Sequence, residues 1–102
     1  MPVTQITTID GQGIEWTNSL QGVTLRALLK GDAGKDLRDV FGLAAKTGEE
    51  IAVAVVFPWE GDRQETRKAV GTVTLLDEDS EFVTVHMRLT EPVQVQVNKR
   101  KR

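Results

Sequence analysis

Glu81-Phe82-Val83-Thr84-Val85-His86-Met87-Arg88-Leu89 alternates apolar and polar side chains strictly from Val83 onward. In an extended chain Val83, Val85, Met87 and Leu89 fall on one side and Phe82, Thr84, His86 and Arg88 on the other, the period of a strand with one face on a core and one half wet. Val93, Val95 and Val97, interleaved with Gln94 and Gln96, repeat the pattern. Between the two strands Pro92 has no amide hydrogen for a ladder and biases Glu91 away from helical angles. On the N-terminal side, residues 69 to 76 read as a strand with Gly71 as a candidate bulge, and Asp77-Glu78-Asp79-Ser80 forms the turn of a hairpin.

Farther upstream, Ile51 to Phe57 is apolar at every position, which predicts a strand at the centre of the sheet, covered on both faces. Earlier strands are expected at Val3 to Ile9, Ile14 to Thr17 and Val23 to Leu29, with Asp10-Gly11-Gln12-Gly13 making a tight reversal between the first two. One segment keeps a helical period. Leu37, Val40, Phe41 and Ala44 fall at i, i+3, i+4 and i+7, with Asp32 or Asp36 near the start, Lys46 in the last turn and Gly48 as a left-handed cap. This predicts a helix over 35–46, and Gly42 inside it costs about 1 kcal/mol relative to alanine, so the helix must dock on the sheet to persist.

Valine and threonine supply 24 of the 102 residues, a β-branched excess that suits pleated surfaces. Three strands, one helix, then three or four strands predict an α+β, β-rich fold: a small twisted sheet or partly open barrel of six to seven strands, the helix following the third. One domain over 1–97 and a basic tail over 98–102 are expected. The element order resembles that of the OB-fold, where a helix also follows the third strand; the resemblance is one of topology and rests on no motif.

Lys99, Arg100, Lys101 and Arg102 are four consecutive cations in a chain of net charge −2. They leave nine basic against fifteen acidic residues over 1–97, an acidic body of −6 with a basic end. That balance argues against a broad basic groove. The absence of cysteine excludes disulfides, thiolate metal sites and a cysteine nucleophile, and suits a reducing compartment. The longest apolar run has seven residues against the roughly 20 of a membrane helix, and Met1-Pro2-Val3-Thr4-Gln5 opens no secretory signal. A soluble, cytoplasmic protein without membrane partners is expected.

Catalytic chemistry has little to draw on. His86 is the sole histidine and Ser19 and Ser80 the only serines, so a serine triad would need His86 with one of those two. A half-wet strand face is the simpler place for this imidazole. The acids of Asp77-Glu78-Asp79-Ser80-Glu81 form no calcium loop, because Phe82 and Arg88 stand where its glycine and glutamate belong. Gly31-Asp32-Ala33-Gly34-Lys35-Asp36 fails as a phosphate loop on Leu29 and Asp36. No catalytic residue, metal or cofactor is expected.

Binding residues are another matter. Pro58-Trp59-Glu60-Gly61-Asp62-Arg63-Gln64-Glu65-Thr66-Arg67-Lys68 reads as a loop in which an aromatic stands beside mixed charge. Trp59 either stacks on a partner or folds back over the end of the core; Trp16, alternating with Ile14, is expected in the core. The tail is solvated, contacts nucleic acid, or docks on an acidic surface of a neighbouring copy. The Val93 to Val97 strand either pairs within its own sheet or offers an edge to another chain. The expected function is a noncatalytic interaction or assembly module, an accessory or structural subunit acting on a protein partner or a second copy. Its binding residues are Trp59, Arg63, Arg67, Lys68, Lys99, Arg100, Lys101 and Arg102. Single-stranded nucleic-acid binding through the same residues is the alternative, and a carboxylate enzyme using Asp77, Asp79 or Glu81 the third class.

Overall fold

A computed structural model describes residues 5–100. The start of the Val3 to Ile9 strand and tail residues Lys101 and Arg102 lie outside them. The elements are β1 (Ile6–Asp10), β2 (Glu15–Asn18), β3 (Gly22–Leu28), α1 (Asp32–Thr47), β4 (Glu50–Val56), β5 (Arg63–Glu78), β6 (Phe82–Leu89) and β7 (Gln94–Lys99). They form one mixed, unclosed, seven-stranded sheet in the order β1-β4-β5-β6-β3-β2, with β7 also paired to β5. The α+β class and the helix after the third strand are as the sequence indicates; a closed barrel does not form.

The alternation in β6 sets the two faces. Val83, Val85 and Met87 are buried, as are Val23, Leu25 and Ala27, their antiparallel partners in β3. Leu37, Phe41 and Ala44 of α1 join the same cluster, with Val53, Val55, Ala69 and Val73 from β4 and β5. The helix is a turn longer at its start than the periodic residues indicate. Gly31 is its N-cap, without a side-chain hydrogen bond, Asp32 stands in its first turn, and Gly48 (φ 72°) ends it by donating its N–H to the Ala44 carbonyl.

Three expectations about neighbours are corrected. First, β4 is not central: it lies between edge strand β1, which it pairs in parallel, and β5. On the face away from α1, Ala52 is nevertheless buried, as is its partner Val70 in β5, and Ala54 is half-buried. Second, β1 and β2 make no hairpin. A turn forms, with the Ile14 N–H donating to the Gly11 carbonyl, but β2 pairs with β3 at the far end of the strand order. Asp10 and Glu15 are five residues apart, at most about 18 Å of extended chain, so the sheet must curl until its two ends approach. Trp16 of β2 and Phe57, just past β4, accordingly meet edge to face at 6.3 Å.

Third, the loop expected over 58–68 is mostly strand. Only Pro58 to Asp62 turns the chain, and β5 starts at Arg63 because β4 and β7 flank it on both edges, which overrides the weak strand propensity of its charged residues. The hairpin from β5 to β6 is present, but its irregularity lies between Val73 and Leu75 rather than at Gly71. β7 and β6 follow one another along a single edge of β5, at residues 63–68 and 71–78 respectively, with the Thr90 to Pro92 break between them. No helix among the described residues is long and apolar enough to cross a membrane.

Candidate interaction surface

The end of the sheet that α1 leaves uncovered is where the sequence's charged and aromatic residues gather. Glu60 and Arg63 exchange backbone hydrogen bonds of 2.8 and 3.2 Å, closing a turn around Gly61 and Asp62. Gly61 takes φ 64° at the first central position, where a type II′ hairpin turn places its glycine. The turn holds Trp59 at the surface, 36% exposed and outside the core cluster. Of its two readings the surface position is the observed one; Phe57 and Trp16 flank the core at this end instead.

Pairing of β7 with β5 brings the chain's basic end to this turn. Lys99 lies opposite Arg63, the Arg100 N–H donates to the Asp62 carbonyl at 2.9 Å, and the Arg100 guanidinium sits 4.5 Å from the Trp59 ring centroid. Asn98 and Lys99, expected in the tail, are thus strand residues. Lys101 and Arg102 are outside the described residues.

The expected site residues of β5 split between faces, because adjacent strand residues point oppositely. Arg63 and Arg67 share the core-side face with Val55 and Phe57, flanking Glu65, whose carboxylate accepts from Arg63 Nη2 at 3.2 Å and from Arg67 Nη2 at 3.0 Å. The hydrogen bonds from Arg67, helped by the Arg63 charge, hold the Glu65 carboxyl below its ordinary range. Arg67 also reaches 5.1 Å from the Phe57 ring centroid and 5.6 Å from that of Trp16. Lys68 points to the opposite face and is not brought to the two arginines.

Ile14, Phe57, Pro58, Glu60, Arg63 and Arg67 line an open cleft of about 460 Å³ there. Trp16, Phe57 and Glu65 are the contributors that sequence reasoning missed. Trp16 is half-buried, and its Nε1–H donates to Asn18 Oδ1 at 2.8 Å. Strict alternation of Arg63, Glu65 and Arg67 was the available signal for β5, but nothing local marks the contact across the curl.

β7 borders this surface with Val95 and Val97, 55% and 38% exposed. Among the described residues no strand pairs with its outer edge.

The remaining polar candidates stand elsewhere. His86 is half-buried on the sheet face away from α1, its Nδ1 3.1 Å from Thr24 Oγ1. Asp77, Asp79 and Glu81 are all exposed. Asp79 Oδ1 accepts the Glu81 and Phe82 N–H groups at 2.7 Å each, which lowers its pKa and commits it to the turn. Compared with protein-family models, characterised proteins and solved structures, the chain matches none.

Proposed function

We propose that this protein is a noncatalytic interaction module of the cytoplasm, working through the free edge of β7, the Trp59 turn and the basic end of the chain. One observation carries the reading: three features scattered in sequence come together at one end of β5, with Arg100 stacked on an exposed Trp59 beside a strand edge that no described strand pairs. Aromatic and arginine side chains supply most of the energy at protein interfaces, and an open edge supplies main-chain hydrogen bonds. The exposure of Asp77, Asp79 and Glu81 and the pairing of Glu65 with two arginines weigh against a carboxylate enzyme.

A photo-crosslinking residue placed at Trp59 or Val97 is expected to give adducts of discrete mass in cells, while the same residue at exposed Leu43 on α1 gives none. Equal labelling at Leu43, or no adduct at either surface position, would sink the reading.

Single-stranded nucleic-acid binding is the second reading, favoured by two aromatic–arginine groupings, Arg67 beside Trp16 and Phe57, and Arg100 on Trp59. It requires quenching of tryptophan fluorescence by a short oligonucleotide, fading with salt at a log-log slope of roughly −3 for four phosphate contacts. No quenching at low salt removes it.

A further inference from the structure

Which backbone groups β7 turns outward follows from its ladder with β5. The bond from the Arg100 N–H to the Asp62 carbonyl continues that ladder, and antiparallel pairing alternates bonded and non-bonded pairs. Gln94, Gln96 and Asn98 therefore bond inward to β5, leaving the N–H and C=O groups of Val95, Val97 and Lys99 facing out. Five consecutive side chains, Gln94 to Asn98, carry no charge, although edge strands ordinarily resist pairing with charges or proline.

We propose that the occupant of this edge is the β7 strand of a second copy, paired antiparallel across a two-fold axis at Gln96. This rests on the reading above and gives its sheet edge a partner. With Gln96 opposite Gln96 of the partner subunit, Val95 faces Val97 in both directions, and each outward N–H meets an outward carbonyl. Extended by one residue before β7, the ladder would place Lys99 opposite Val93. On the core-side face the exposed valines cover one another; on the other face Gln94 lies opposite Asn98.

Charge selects this direction. Antiparallel pairing separates the two Lys99 side chains by about 20 Å along the ladder, beyond the screening length at physiological salt, whereas parallel pairing sets them side by side. It also brings each Arg100 opposite Pro92 of the other copy, next to exposed Glu91. The partner strand would end at a hollow of about 570 Å³ between the β2–β3 turn and the β6–β7 break, lined by Leu20, Gln21, Arg88, Glu91 and Val93. Leu20, fully exposed at its rim, is the apolar group such a neighbour would cover.

Sedimentation of the full chain from micromolar to several hundred micromolar is expected to show a reversible rise from 11.3 kDa toward twice that mass. Val97→Pro removes one outward N–H per copy without touching the ladder to β5, and should weaken the dimer by on the order of tenfold to a hundredfold. In the cysteine-free background, Gln96→Cys should oxidise to a covalent dimer, since residues facing across a non-bonded pair have Cα atoms about 4.5 Å apart, within disulfide reach. Gln94→Cys alone, facing Asn98, should not. A chain monomeric throughout, or a dimer indifferent to Val97→Pro whose Gln96→Cys form stays reduced, overturns the proposal. A monomer that still crosslinks a different protein through Trp59 would defeat this pairing and leave the interaction reading standing; a two-fold dimer without other adducts would confine the reading to self-assembly.

Discussion

Phe41→Ala is expected to remove about 3–5 kcal/mol of folding stability, a large share of the 5–15 kcal/mol typical of a small domain. Phe41 is among the largest fully buried side chains and sits in the central turns of α1. The helix carries Gly42 in its interior, which costs about 1 kcal/mol relative to alanine, and its cap glycine contributes no side-chain bond. Docking must therefore hold it, and Phe41 is the largest part of what docks. At about 4–8 °C per kcal/mol for a domain of this size, the midpoint of thermal unfolding followed by circular dichroism should fall by more than 10 °C. Leu43→Ala, two residues on and exposed, should change stability by no more than about 0.5 kcal/mol. Similar effects for the two variants would mean that α1 does not close the core as described.

The same contrast explains what was legible in the sequence. β3, β6 and the helix announce themselves because a single buried face imposes its period on consecutive residues; Val83-Thr84-Val85-His86-Met87 allows one register only. The first half of β5 is different. Arg63, Glu65 and Arg67 alternate as strictly as the valines of β6, yet they are charged, and what makes them strand is hydrogen bonding to β4 and β7 from segments far away in the chain. The reversal at Asp10 to Gly13 is similar, since Asp-Gly reports the turn but not the strand that β1 pairs. Of the candidate site, Trp59 and the basic end were visible as residue types. Their meeting depends on where β7 pairs, and the approach of Arg67 to Trp16 and Phe57 depends on the curl of the whole sheet; neither is written in local pattern.

Gly71→Ala is expected to be damaging, and its sign is opposite to that of Gly42→Ala. A Cβ built on Gly71 strikes the Arg88 carbonyl oxygen and lies 2.9 Å from both the Arg88 carbonyl carbon and the Leu89 Cα. All three are backbone atoms of β6, so no rotamer change relieves the clash. Gly71 pairs Ile51 on one edge of β5 and Leu89 on the other, so moving it disturbs β4 and β6 together. A loss of about 1–3 kcal/mol follows from overpacking of this kind. At Gly42 an added methyl meets nothing within 4 Å, and the helical backbone accepts it, so stability should rise by about 1 kcal/mol. Urea denaturation of the two variants beside the natural chain reads both signs, and a Gly71→Ala chain as stable as the natural one would refute the close approach of β5 to β6. The consequence reaches the interaction surface. Gly71 stands where β5 passes from pairing with β7 to pairing with β6, so a displaced β6 shifts the start of β7 and loosens the contact of Arg100 with Trp59. Under conditions where Gly71→Ala remains folded, its β7 amides should therefore exchange with solvent faster than those of Gly42→Ala, even though neither substitution touches β7.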